Sequence, residues 1–334
     1  MRVLITGGTG FLGRSTVRAL VAAGHGVRAL ARDEARARDA FGSLPVDIVV
    51  GDLGDTTQVA AALTGCDALV QAAAEYRYDR AGEASMAANA GLAESVLGAA
   101  LRLGVRVVDV SSLVVFSLAA DHLDETTPLT RPGEPGWRDP YQRSKVLAEE
   151  VGRRLEAQGL DRVTVHPGLI VGPDDAGPGT SGQVLVRMLH GGGMADAHSA
   201  FVDVREVASA IVRALDGHRG THVLVAQGVA NYRDVCIRID ALTGRHPRRI
   251  FVGPAILRGA ARLNDAIGGR LAGVPPAGSL DYLLQNARSI DTSRATRELG
   301  IDFRPLDETL VDTIRWWVDH GVVDRKLAGR LAAD

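Results

Sequence analysis

Thr6-Gly7-Gly8-Thr9-Gly10-Phe11-Leu12-Gly13 follows an apolar run that starts at Val3 and opens a stretch of helical spacing that continues to Ala23. The order is strand, glycine turn, helix. The glycines recur as G-x-x-G-x-x-G at Gly7, Gly10 and Gly13, and each has a separate physical task. Gly7 permits the tight turn, Gly10 lets backbone approach a pyrophosphate, and Gly13 lets the helix pack against the strand. The helix that follows then turns its N-terminus toward the anion, with Thr9, Phe11 and Leu12 beside it.

Working outward, the same alternation repeats. Apolar runs at 27–31, 46–50, 68–71, 105–110, 162–165 and 221–226 predict strands. Helical spacing at 34 onward, 56–63, from about 83 to 104, 141–155 and 204–215 predicts the helices between them. Strands that read as apolar runs rather than alternations are buried on both faces. Strand–helix alternation with short links implies right-handed βαβ units. The expected fold is α/β, a Rossmann-type doubly wound parallel sheet with a smaller, discontinuous C-terminal substrate lobe. The expected division is 1–167 with about 201–226 in the dinucleotide domain, and about 168–200 with 227–334 in the lobe. A Pro/Gly-rich stretch after Pro167 to about Gly182 and a closing amphipathic helix at 306–320 belong to that lobe.

Composition narrows the class. The chain has 334 residues, 46% hydrophobic and 23% charged, with a formal net charge of −2. That excludes a disordered chain and any global field for nucleic acid or an anionic membrane. No uncharged run approaches the ~18 apolar residues that span a bilayer, and the N-terminus has no signal-peptide layout. Cys66 and Cys236 read as two buried thiols in a reducing compartment. A cytoplasmic protein is expected. His218 and His222 are four apart, but Gly220 lies between them and no third ligand is apparent, so no metal is expected.

The end of the second predicted strand bears on the cofactor. An NAD site places Asp or Glu there for the ribose 2′-OH; here the residues are Ala31-Arg32. Arg32 can pair with a 2′-phosphate instead, so NADP(H) is favoured over NAD(H). Asp52-Leu53, after the third strand, fits the adenine edge.

Of the 38 basic residues only Lys145 and Lys326 are lysines. Lys145 closes Tyr141-Gln142-Arg143-Ser144-Lys145, and residues four apart share a helix face. A phenol titrates near 10 and is a poor base at neutral pH. An ammonium about 4 Å away supplies up to ~4 kcal/mol favouring the phenolate, which predicts a lowered Tyr141 pKa. Ser111-Ser112 ends the fifth strand, at the carboxyl edge where open α/β sheets bind ligands. Ser112, with Ser111 second, is the expected donor to a substrate oxygen. Leu113 and Tyr76, with Arg77 and Tyr78, are expected to line the substrate pocket.

These motifs together resemble the extended short-chain dehydrogenase/reductases, the NAD(P)-dependent epimerase/dehydratase family, over essentially the full length. The resemblance is carried by residues 6–13, Asp52-Leu53, Gln71-Ala72-Ala73-Ala74, Val110-Ser111-Ser112, 141–145, His166-Pro167-Gly168, Asp291-Thr292-Ser293-Arg294 and Glu298-Leu299-Gly300. Ala73-Ala74-Glu75-Tyr76-Arg77 and Gly172-Pro173 are similar to the dihydroflavonol-reductase-like and hopanoid-associated sugar epimerase group. The resemblance implies that Ser112, Tyr141 and Lys145 are the catalytic triad, with the family's site Asn at Asn89. It implies that Ala73, Ala74, Tyr141 and Lys145 touch the cofactor and that Pro167 to Ile170 lies against the nicotinamide carboxamide. Gln71 stands where relatives often have His, Phe116-Ser117 replaces Tyr-Gly, and Asp203-Val204-Arg205-Glu206 replaces a His/Asp-rich stretch.

The expected function is an NADP(H)-dependent oxidoreductase that reduces a carbonyl, or oxidises a secondary alcohol, of a small molecule. Two alternatives stay open. One is a nucleotide-sugar epimerase or dehydratase with internally recycled NAD(P). The other is a non-catalytic NADP-sensing protein. A homodimer through a four-helix bundle built from the 83–104 and 141–155 helices is common in related families.

Overall fold

The computed structural model describes residues 1–74, 88–117, 120–134, 136–267, 280 and 289–332. Its centre is a parallel sheet of β1 (Arg2–Thr6), β2 (Gly26–Ala31), β3 (Val46–Val50), β4 (Ala68–Gln71), β5 (Arg106–Val110), β7 (Arg162–Pro167) and β11 (His222–Val225). The seven strands run in the order β11-β7-β5-β4-β1-β2-β3. Sequence order reverses between β1 and β4, where a doubly wound sheet opens a crevice at its carboxyl edge. The register there pairs Thr6 with Gln71 on one side and with Leu30 on the other.

The runs of β1, β4 and β7 are buried on both faces, as their lack of alternation requires, while the edge strand β3 stays partly exposed. Val3, Ile5, Val70, Val108, Val163 and Val165 pack against Val17 and Leu20 of helix Phe11–Ala22 and Val207 and Ile211 of helix Val204–Ala214. Leu4, Leu69 and Val107 face the other way, onto Val59, Val96, Leu97 and Leu155 of helices Thr56–Leu63, Asn89–Leu103 and Pro140–Ala157. Cys66 and Cys236 are free and buried, as expected.

A second core gathers around the fully buried Trp317 of helix Leu306–Asp319. Helices Thr180–His190 and Tyr232–Thr243 pack on it. It also includes Val171 of β8 (Leu169–Val171) and Phe201 of β10 (His198–Asp203). β8, β10 and β12 (Gly228–Asn231) form a small mixed sheet. Short pairs β13–β9 (Arg249–Val252 with Gly192–Ala195) and β14–β6 (Ser289–Ile290 with His122–Leu123) complete the strands of the described residues. The lobe is therefore more regular than the Gly/Pro-rich sequence suggests. One piece of 227–334 packs elsewhere: Ala295, Leu299 and Ile301 bury themselves in the central-sheet core beside helix Val204–Ala214.

Helix starts differ in a way that positions the site. Asp33, Asp55, Asp139, Asp203 and Asn231 each accept a backbone N–H of the helix they begin, the common way to satisfy first-turn donors. Gly10 and Gly179 supply no side chain to helices Phe11–Ala22 and Thr180–His190. Both of those helix starts border the same cavity.

Candidate active site

The cavity has a volume of about 390 Å³ and lies at the carboxyl edge of β5 and β7. Phe11, Leu12, Ala74, Ser112, Leu113, Tyr141, Lys145, Pro167 and Ile170 all line it, so these nine sequence candidates converge. Gly7, Thr9, Gly10, Gly13, Arg32, Asp52, Leu53 and Ala73 are not in its wall. They follow the carboxyl ends of β1 to β4, where an elongated ligand running from the cavity across the sheet would pass. Ala73 lines a smaller polar cavity with Asn89, Asp109, Lys145 and Glu149. Tyr76, with Arg77 and Tyr78, lies outside the described residues.

The glycine turn fits a pyrophosphate because side chains are excluded from it. Gly7 has φ +70°, and a Cβ there would sit 2.7 Å from the Ala73 nitrogen. A Cβ on Gly13 would meet the Gly7 oxygen at 2.1 Å. Thr6 Oγ1 donates to Gln71 and accepts from Ala73 N–H, while Gln71 Nε2 donates to the Ala73 carbonyl at 3.1 Å. Gln71 thus fastens the β1–β4 crevice. With no cap at Gly10, the first-turn N–H groups of helix Phe11–Ala22 are offered to a ligand anion. A dinucleotide phosphate is the group this cradle fits.

Tyr141 and Lys145 are both half-buried, on one face of helix Pro140–Ala157. The Tyr141 hydroxyl is hydrogen-bonded to the Ser112 side chain. Burial pushes the phenol up to about 12; the Ser112 bond opposes the rise and Asp139 adds to it. The predicted lowering by Lys145 is therefore not found. The Lys145 ammonium is directed at the Val110 carbonyl, 3.4 Å away, and interacts with Asp109 and Glu149. Burial pushes Lys145 down, and those two carboxylates pull it back up. Ser112 Oγ also accepts the Val114 N–H at 3.3 Å, which fixes its rotamer. Asn89 Nδ2 donates to Ser144 Oγ at 3.2 Å, on the helix that carries the tyrosine.

The far wall was missed by sequence reasoning. Asp175, Thr180, Ser181, Val184, Ser199, Ala200 and Tyr232 line it. Ser199 Oγ and the Tyr232 hydroxyl share a hydrogen bond of 2.9 Å across 33 residues of sequence. Burial pushes the Asp175 carboxyl up to about 6, against Arg14 and the Gly177 N–H. The Asp175 carbonyl accepts the Trp317 Nε1–H at 3.0 Å. Its neighbour Asp174, with φ +74°, is held by Arg14 and Arg18 of the glycine-loop helix. The Gly/Pro stretch was the only signal, and it carried no residue-level information.

A family model described as NAD dependent epimerase/dehydratase matches residues 3–226. The chain is 31% identical over 333 residues to sterol demethylase protein B of Methylococcus capsulatus, covering 97% of this chain and all of that one. It is 28% identical over 330 residues to a putative dihydroflavonol 4-reductase of Synechocystis, covering 96% and 95%. The crystal structure of gox2253 superposes with a TM-score of 0.83 at 27% identity, covering 96% of this chain and 98% of that one.

Proposed function

The chain belongs to the NAD dependent epimerase/dehydratase family and is an NAD(P)-dependent extended short-chain dehydrogenase/reductase; from that premise we propose that it is an NADP(H)-dependent reductase of an uncharged, largely apolar carbonyl compound. The cavity wall carries this reading. Phe11, Leu12, Leu113, Val114, Leu169, Ile170 and Val184 make it mainly apolar, and Lys145 and Asp175 are its charged residues among those described. A nucleotide sugar brings a diphosphate, and such groups are held by arginine forks or equivalent cations. This chain has 36 arginines, yet none of the described wall residues is one.

Ser112, Tyr141 and Lys145 divide the work. Ser112 holds the substrate oxygen. Tyr141, with its pKa pushed up to about 12, is protonated at neutral pH and donates that proton to the same oxygen. When bound, the reduced nicotinamide supplies a hydride to the carbonyl carbon. The product is then the secondary alcohol, and Tyr141 recovers its proton from solvent. Lys145 would bind the nicotinamide ribose and steady the charge that develops beside Tyr141. Ala74, Pro167 and Ile170 flank the nicotinamide end of the site. Gly7, Thr9, Gly10 and Gly13 cradle the pyrophosphate, and Asp52 and Leu53 edge the adenine. At the other end Arg32 follows β2, where it would meet a 2′-phosphate. Asp33, the next residue in the chain, caps the following helix through Arg36 N–H at 3.0 Å. We assign the substrate end to the lobe wall of residues 168–200 and Tyr232.

The test is the absorbance of reduced cofactor on mixing protein, NADPH or NADH, and a panel of ketones, aldehydes and flavanones. Net consumption, faster with NADPH, is the expected result, with Tyr141→Phe slower by roughly 10²–10⁴-fold. No consumption across the panel, with cofactor retained on the protein, would move the assignment to the epimerase or dehydratase.

A further inference from the structure

We propose that Glu149, His166 and His222 form a binding site for a divalent transition-metal ion of the zinc type, outside the catalytic cavity. None of the three lines that cavity. They come from three elements: Glu149 sits one turn beyond Lys145 on helix Pro140–Ala157, His166 precedes Pro167 in β7, and His222 opens β11. Parallel pairing of β11 with β7 sets His222 against Thr164 and so brings its ring beside that of His166.

The donor atoms already stand near metal-ligand spacing. His166 Nε2 is 3.3 Å from His222 Nδ1, and His222 Nδ1 is 3.6 Å from Glu149 Oε1. All three donors lie within 4.8 Å of one another. With zinc–ligand bonds of about 2.0–2.2 Å, two corners of a tetrahedron lie about 3.3–3.6 Å apart. Only one edge, between His166 and Glu149, has to shorten, by at most about 1.5 Å. Two imidazoles and one carboxylate suit zinc and its neighbours rather than magnesium or calcium.

The surroundings orient each donor. His222 Nε2 faces Glu156 Oε2 at 3.5 Å, a carboxylate partner on the side of the ring away from Nδ1. Glu149 Oε2 accepts from Arg162 at 2.9 Å, which turns Oε1 toward the histidines. His166 is fully buried, so its ring is held in place by the surrounding core. Asp109, Glu149 and Glu156 all face the buried Arg162, with Lys145 beside Asp109 and Glu149 and Arg153 beside Glu149. Arg153 donates to Glu149 Oε1 at 3.1 Å and would be displaced; at 40% exposure it has solvent to turn into. His222, 18% exposed, marks the way in, and solvent would complete the coordination. The spacing of His218 and His222 in sequence gave no such indication, because the second histidine of the site is 56 residues away.

Such an ion would staple the helix bearing Tyr141 and Lys145 to the edge of the sheet. The experiment uses the full chain, freed of metal with a chelator and then titrated with Zn²⁺ alone. The expected result is saturable binding of one equivalent with a rise of several degrees in Tm, and no rise with Mg²⁺. His222→Ala should weaken zinc binding by at least ~10-fold, since loss of even an outer partner costs that much. The exposed His218→Ala should bind as the unaltered chain does. Co²⁺ in the unaltered chain should give the visible absorption of a four-coordinate nitrogen–oxygen site, which needs no variant to fold. Absence of saturable zinc binding, six-coordinate cobalt spectra, or unchanged binding in a folded His222→Ala would overturn the proposal.

Discussion

The turn Gly7–Gly13, through Phe11 and Leu12, and the loop Gly172–Gly179 border one cavity from two sides, and each leads into a helix with no side-chain cap. They are built on opposite principles. The first closes because atoms are missing: backbone fills the space where Gly7 and Gly13 would carry a Cβ. The second is held by atoms that are present. Arg14 and Arg18 grip Asp174, and Trp317 holds Asp175. A site shaped by absence tolerates no addition, and one shaped by anchors tolerates no removal.

Gly13→Ala is the strongest way to break that contrast. The added methyl meets the Gly7 oxygen at 2.1 Å, so backbone has to move. Overpacking of this kind costs about 1–3 kcal/mol, and the turn is displaced from the pyrophosphate. Loss of measurable NADPH binding by fluorescence titration, with a lowered Tm, is the expected outcome. Normal affinity would mean that the turn is not the phosphate cradle.

Arg32→Ala sharpens the cofactor side alone. A charge-assisted bond contributes about 1.5–3 kcal/mol, so NADPH affinity should fall roughly 10–100-fold while NADH affinity stays put. Equal loss for both cofactors would remove Arg32 as the reader of the 2′-phosphate.

Trp317→Phe tests the anchored loop. It keeps most of the buried ring and deletes the donor to the Asp175 carbonyl. KM for the carbonyl substrate should rise several-fold with cofactor affinity unchanged. If cofactor affinity fell equally, the two sides would not be separable.

Asp175→Asn has the smallest expected effect and a diagnostic pH dependence. The folded carboxyl titrates near 6, above its ordinary value of 3.8. In the interval between, the unfolded chain has lost a proton that the folded chain keeps, so stability falls as pH rises through it. The substitution removes that cost. Tm of the variant should exceed that of the parent at pH 7.5 and converge with it below pH ~4. A constant offset at every pH would place the effect elsewhere than in this carboxyl.

The same contrast explains what the sequence revealed. β1 to β5, β7 and β11 are apolar runs bracketed by turn residues, and a glycine motif states its geometry within eight residues, so both were readable. Tyr141 and Lys145 were readable because a helix fixes their spacing. The phenol's pKa was not. The Lys145 ammonium turns to Val110, Asp109 and Glu149, and burial outweighs the rest; none of this follows from a four-residue interval. The lobe strands are two to six residues long and pair across distant segments. Helix Thr180–His190 begins at a glycine inside Gly177-Pro178-Gly179, which reads as loop. Ser199, Tyr232 and Asp175 enter the site through contacts that no local pattern records.

The bond from Trp317 to Asp175 spans 142 residues. A chain emerging from the ribosome therefore has its glycine turn, Ser112, Tyr141 and Lys145 in hand long before the wall opposite them is fixed. Release of helix Leu306–Asp319 brings in Trp317, so the newly made protein acquires the glycine turn before the loop opposite it is anchored.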